Sequence, residues 1–366
     1  MNRWFNVFAR FDWLLMFAAV SLTSLGLLII YGINISRGEG FFQFYKQLLA
    51  AALGLALVAG LAWLDYRQIR SVALPLYLVC LGLLLLALVV GTSSHGGGRW
   101  FTVGALSFQP VEPAKVALAL FLAAYLGRHA HKRLGWTAFL GSALATGAYV
   151  IPTMLQPDLG SATVLMAMWG AAVLFCGLPR HAWWIGALSV VVLLSVLWTV
   201  GLKPYQRDRI TSFINPSIDP YGASYNVAQA RIAVGSGGLF GKGVGEGSQA
   251  RLRFLPEAST DFMFAVVGEE LGFVGVALVL GLFGLLLSRL LRVGQQAGNA
   301  YAGILTICLS AIVAYHLLVS AGMNLGVLPV TGIPLPFLSA AATSVLSMFC
   351  IVGLGESVCV HSGNNG

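Results

Sequence analysis

Charge is scarce in this chain. Of 366 residues only 9% are Asp, Glu, Lys or Arg, while 58% are hydrophobic and the mean hydropathy is +0.85. A soluble domain has no means of covering that much apolar surface, so the chain reads as a polytopic membrane protein. Several catalytic signatures are missing too. The five cysteines (Cys80, Cys176, Cys308, Cys350, Cys359) lie mostly inside apolar segments with no CxxC spacing, which argues against a disulfide framework or a zinc site. His95, His129, His131 and His316 are scattered, and no Ser-His-Asp or nucleophile-elbow pattern occurs. The GKG of GSGGLFGKGVGEGS (235–248) lacks the Ser or Thr of a Walker A loop and follows no strand. Tight turns that bring backbone close to a headgroup are the better reading of those glycines. The net charge of +8 and pI near 9.4 do not imply nucleic acid, because a membrane protein accumulates Lys and Arg in its cytoplasmic loops.

What is present is a series of apolar runs. Arg3 and Arg10 precede a run from Leu14 to about Tyr31, which is long enough to span and has no small-residue cleavage pattern, so it reads as a retained first helix. Further spans are expected at 47–64, 72–90, 113–127, 136–155, 161–178, 183–200, 262–287, 301–325 and 339–358. The fold class is therefore all-α, about ten transmembrane helices, with a long loop (201–260) between helices 7 and 8. No internal repeat is evident, so the whole of 1–366 reads as a single membrane domain. Most basic residues of the short loops fall on one side: Arg67, Arg70, Arg128, Lys132, Arg133, Arg180, Arg289 and Arg292, together with Arg3 and Arg10, against only Arg37, Lys46 and Arg99 on the other. That bias places both termini in the cytoplasm and the long loop outside.

The outer segments carry the polar chemistry. In RWFTVGALSFQPVEPAK (99–115), Arg99 precedes Glu112 and Lys115, which are spaced i, i+3 at a helix start and can pair. Asp158 lies in a turn directly before the sixth span, where a helix cap is the plain alternative to a functional role. In the long loop, Lys203, Arg207 and Arg209 come first, an amphipathic stretch (224–234) suited to an interfacial helix follows, and Lys242 sits among the glycines. At the boundary into the eighth span is Asp261. A carboxylate at the mouth of a membrane helix marks a functional candidate, although helix starts also favour a solvated aspartate. Glu269 and Glu270, two turns deeper, suit bracing between helices. The Pro-rich LPVTGIPLPFLS (328–339) signals irregular backbone, tolerated at membrane depth only where it is buried in protein or lines a cavity. Cations and acids together on one membrane face suit an anionic, membrane-anchored substrate, whether for group transfer or for recognition alone.

Five of these segments resemble the signatures of the SEDS family (shape, elongation, division and sporulation), in the family's order: RWFTVGALSFQPVEPAKVA (99–117), QPDLGSAT (156–163), GSGGLFGKGVGEGSQ (235–249), FLPEASTDFMFAVVGEELGFVG (254–275) and LPVTGIPLPFLS (328–339). DYRQIR, YQRDRI and NPSIDPYGASYN are closer to its elongation branch than to its division branch. The resemblance implies a ten-helix fold in the bacterial cytoplasmic membrane and a peptidoglycan glycosyltransferase that polymerises lipid II on the outer face. It implies a class B penicillin-binding protein, supplying the crosslinking transpeptidase, and elongation-complex membrane proteins as partners. Asp261 falls on the family's essential aspartate and is expected to be the general base. Arg99, Glu112, Lys115, Asp158, Lys203, Arg207, Arg209 and Lys242 are the candidates for binding substrate and the departing pyrophosphate. No cofactor is implied with certainty, and a divalent cation, Mg or Mn, is compatible with such a site. A lipid II flippase and a non-catalytic scaffold for the penicillin-binding protein are the rival readings. Two positions depart from the pattern. Ala340–Ala342 stand where Tyr-Gly-Gly is common, and Val111 where Ser is common.

Overall fold

The computed structural model describes residues 10–93, 99–103, 106–129, 134–177, 211, 213 and 223–362. Among them, eight helices are long and apolar enough to cross a membrane. These are α1 (Trp13–Arg37), α2 (Phe42–Trp63), α4 (Ala73–Val90), α6 (Trp136–Leu155), α7 (Leu159–Cys176), α10 (Met263–Gln296), α11 (Ala300–Asn324) and α12 (Ala342–Ser362). Between them lie a short α3 (Tyr66–Ser71), the 16-residue α5 (Val111–Leu126), α8 (Ala223–Ser236) and a single turn, α9 (Ser248–Arg251). The chain is thus a multi-pass helical membrane protein, as its hydropathy demands. The expected span 183–200 lies outside the described residues.

Local signals account for the boundaries. Asp12, Asp158 and Asn299 cap α1, α7 and α11 by accepting the backbone N–H groups of Leu15, Ser161 and Ala302. Gly38 ends α1 in the left-handed conformation, directly after Arg37. Pro113 sits within the first turn of α5, where no helical N–H is needed. One element departs from the all-α expectation. Three short strands, β1 (Thr92–Ser93), β2 (Arg99–Val103) and β3 (Leu106–Phe108), form a small antiparallel sheet in that order.

In the packed bundle α11 and α12 are the most enclosed of the eight spans, and α2 and α4 the least. Small residues allow the closest approaches. A Cβ on Gly54 of α2 would collide with the Phe349 ring of α12, and one on Gly353 would come within 3.0 Å of Val58. At the end opposite Asp261, Arg289 holds the Asp12 carboxylate at 2.7 Å, and Glu356 accepts the Asp12 N–H at 2.9 Å. That cluster joins α1, α10 and α12.

The largest departure from the expected helix series lies within α10. Its 34 residues correspond to about 51 Å at helical rise, far more than a hydrocarbon core of about 30 Å. The helix is broken at Gly272 (φ 65°, ψ −161°), a conformation essentially reserved for glycine. A break leaves carbonyls unpaired at the end of the first segment and N–H groups unpaired at the start of the second, which is not tolerated in lipid. The glycine-rich loop fills both needs. Lys242 and Gly243 donate their N–H groups to Glu269 O and Glu270 O, each at 3.0 Å. Gly238 O and Leu239 O accept from Phe273 N (2.9 Å) and Val274 N (3.0 Å). So close an approach excludes side chains: a Cβ on Gly237 would collide with Gly268 O, and one on Gly241 with Glu270 O. The glycines therefore bring backbone close to backbone.

Candidate active site

Asp261 occupies a turn immediately before α10 and is half-buried; the N-cap residue of α10 is Phe262, whose side chain makes no cap bond. The turn is held on every side. Asp261 N–H donates to Glu257 O at 3.1 Å. The preceding carbonyl, Thr260 O, accepts from Ser339 Oγ at 2.6 Å. Its own carbonyl accepts from Asn324 Nδ2 at 3.1 Å, while Asn324 Oδ1 accepts from Ala265 N at 3.1 Å. Asn324, the last residue of α11, so caps α10 from a neighbouring helix. The carboxylate lies at the N-terminal end of α10, where the helix dipole favours negative charge.

The Pro-rich segment forms the roof of this turn. Ile333, Leu335, Phe337 and Leu338 are buried, so this irregular backbone is enclosed by protein. Its polar groups find partners: Ala340 N donates to Ser259 O (2.8 Å), Leu335 N to Ser339 Oγ (2.9 Å), and Gln47 Nε2 to Ser339 O (2.8 Å). Gly332 lies beside the carboxylate, where a Cβ would sit in ordinary contact 3.5 Å from Asp261 Oδ2, and its left-handed φ of 72° gives a physical reason for the glycine.

The other candidates separate into distinct situations. Glu112 and Lys115 pair at 2.8 Å as their spacing predicts, but both are buried, with side chains only 2–3% exposed. Lys115 Nζ also lies 3.0 Å from His316 Nε2, and His316 Nδ1 lies 3.3 Å from Pro334 O. With its proton on Nδ1, His316 accepts from Lys115 and donates to the Pro-rich roof. These residues brace the roof from inside the bundle. Asp158 caps α7 through Ser161 N (2.9 Å) and Ser161 Oγ (2.8 Å), and accepts from Gln109 Nε2 at 3.1 Å. Lys242 is engaged with the fully buried Glu269 at 2.8 Å, which also accepts from Ser248 Oγ and Gln249 N at 3.1 Å. Arg99 lies in β2 opposite Ser93. Lys203, Arg207 and Arg209 lie outside the described residues. The stretch 224–234 is helical, within α8, and packs along α10. Among the described residues no group of three or more His, Cys, Asp or Glu side chains is gathered as a metal centre.

Sequence reasoning missed the residues that hold the turn, Asn324 and Ser339, and those that hold its roof, Gln47 and His316. The available signal was an amide, an imidazole and a hydroxyl in otherwise apolar runs, where each needs a partner.

A half-buried carboxylate, pinned at the mouth of a membrane helix and roofed by irregular backbone, defines a polytopic membrane protein with a candidate active site at one membrane face. The chain belongs to the FtsW/RodA/SpoVE family of cell cycle proteins, the SEDS proteins, whose family model matches residues 12–364. Among its relatives, the peptidoglycan glycosyltransferase MrdB of Escherichia coli (strain K12) is 34% identical, over 89% of this chain and 88% of the relative. Stage V sporulation protein E of Bacillus subtilis (strain 168) is 35% identical, over 96% and 97%. The structure is similar to a chain of a peptidoglycan synthase complex that coordinates polymerization and crosslinking (TM-score 0.82, 31% identity, 97% of this chain and 99% of that one). It is also similar to the rod shape determining protein RodA of Thermus thermophilus (TM-score 0.70, 30% identity, 95% and 96%).

Proposed function

We propose that this chain is a peptidoglycan glycosyltransferase that polymerises lipid II during cell elongation, with Asp261 as general base on the extracytoplasmic face. The observation that carries the reading is the placement of Asp261, half-buried in the turn at the start of α10 with its backbone bonded on both sides. The names of its relatives support the activity, and the RodA similarity together with the elongation-type motifs supports the elongation role. In the reaction the Asp261 carboxylate takes the proton of the acceptor GlcNAc 4-hydroxyl. That oxygen forms its bond to C1 of the donor MurNAc as the C1–O bond to pyrophosphate breaks, and undecaprenyl pyrophosphate leaves with the electron pair. The donor linkage is α and the product β, so one in-line displacement with inversion suffices. Arg99, Lys203, Arg207 and Arg209 are the proposed cations for the departing pyrophosphate, as electrostatic clamps serve elsewhere. Lys115 and Lys242 already hold buried carboxylates and suit bracing better.

The substitutions at Ala340–Ala342 are compatible with this role, because Ala340 and Ala341 use backbone N–H groups to reach Ser259 O and Ser339 O. A class B penicillin-binding protein is the proposed partner, and the similarity to a chain of a polymerizing and crosslinking complex supports it. The test is polymerisation of purified lipid II by the detergent-solubilised protein with its partner, comparing wild type with Asp261→Asn. Glycan strands from wild type, and none from the variant although it still binds lipid II, are expected. Equal polymer from both would remove Asp261 as the base, and none from either would favour transport or scaffolding.

A further inference from the structure

We propose that Asn324 and Ser339 are positioning residues for the reaction, acting through the backbone on either side of Asp261. The proposal rests on Asp261 being the base. An aspartate in a turn has two rotatable backbone torsions, and its carboxylate moves with the peptide planes that flank it. Here both planes are held from outside the segment. The Thr260–Asp261 plane is held at its carbonyl by Ser339 Oγ (2.6 Å), and the Asp261–Phe262 plane at its carbonyl by Asn324 Nδ2 (3.1 Å). The Asp261 N–H bond to Glu257 O completes the set.

Both side chains are buried, Asn324 at 0% and Ser339 at 1% exposure, and each ties the Asp261 turn to a second piece of backbone: Asn324 Oδ1 accepts from Ala265 N at the start of α10, and Ser339 Oγ accepts from Leu335 N in the roof. The orientation of the Asn324 amide is dictated by its partners. Its oxygen faces an N–H (Ala265), and its nitrogen faces two carbonyls, Asp261 O and Ser320 O (2.7 Å). Asn324 thus joins the end of α11 to the start of α10, and Ser339 joins the roof to the same turn. Misplacing a catalytic group by about 1 Å is enough to lower a rate about 100-fold, so these bonds act on turnover and leave substrate affinity alone.

The experiment uses the full chain with its partner and measures lipid II polymerisation for Asn324→Ala, Ser339→Ala and Asn324→Asp beside Asp261→Asn. For the two alanine variants kcat per folded molecule is expected to fall about 10- to 100-fold with KM within about twofold of wild type, while thermal unfolding, lowered by the lost hydrogen bonds, reports the folded fraction. Asn324→Asp keeps the acceptor for Ala265 N but donates to Asp261 O only while its carboxyl is protonated. Its rate relative to wild type is therefore expected to fall as pH rises. Wild-type kcat in both alanine variants with an inactive Asp261→Asn would overturn the positioning role and leave the base intact. Full activity in Asp261→Asn would remove the base reading itself, and this proposal with it. Should Asn324→Ala fail to fold, Ser339→Ala and the pH dependence of Asn324→Asp decide the matter. A flat pH ratio, or a loss of activity matched by loss of folded protein, would reduce both residues to structural ones.

Discussion

Placing a methyl group at the α10 break tests the account of the glycine loop. In Gly272→Ala the backbone would have to hold an L-residue at φ 65°, ψ −161°, a region that costs about 1–3 kcal/mol to occupy. The new Cβ would also collide with Gly241 N and lie 2.7 Å from Leu239 O, so loop and helix must part. Four backbone hydrogen bonds span that junction. Losing two of them adds about 2 kcal/mol at about 1 kcal/mol each, giving about 3–5 kcal/mol in total. At about 2 °C per kcal/mol, the value at the long end of single-domain chains, the melting temperature falls by about 6–10 °C. Gly281 supplies the control. It lies on the same helix with nothing within 4 Å of its Cβ position, so Gly281→Ala is expected to be neutral or stabilising by up to about 1 kcal/mol. Thermal unfolding in detergent reads both, and limited proteolysis across 235–247 reports whether the loop has come away. A Gly272→Ala protein that melts with wild type and resists protease equally would refute the pairing of loop and break.

Two further outcomes follow from the buried charges and caps. Lys115→Met leaves the Glu112 carboxylate buried without its cation, which destabilises by about 3–5 kcal/mol. Adding Glu112→Gln should recover most of that loss, and detergent melting curves of the single and double variants check it. Asp158→Ala removes the α7 cap and should lower stability by about 1 kcal/mol, while polymerisation per folded molecule stays within about twofold of wild type. A tenfold loss of turnover would instead move Asp158 into the substrate site.

Much of the bundle was legible in the residue order. A run of apolar side chains long enough to span has one stable outcome in lipid, so α1, α2, α4, α6, α7, α11 and α12 were readable from composition and length. Local rules also reached the Glu112–Lys115 pair, through its i, i+3 spacing, and the Asp158 cap, through a contact three residues away. Asp261 stood out because its carboxylate sits where apolar sequence begins. Each of these features depends on neighbours in sequence, or on the solvent a segment must meet.

The remainder depended on pairings that residue order does not encode locally. Asn324 is 63 residues from Asp261, and Ser339 is 79 from Thr260, so nothing near either residue announces its partner. Spacing reached the Glu112–Lys115 pair but not its burial, and only the packing set Lys242 against the buried Glu269 carboxylate. The continuous apolar run through Gly272 concealed a break, because hydropathy measures transfer into lipid and is silent on backbone torsion. By itself the sequence determined that this chain spans a membrane many times and which carboxylate sits at its mouth. Tertiary structure decided what holds that carboxylate in place, because hydrogen bonds between distant segments exist only once the helices have packed.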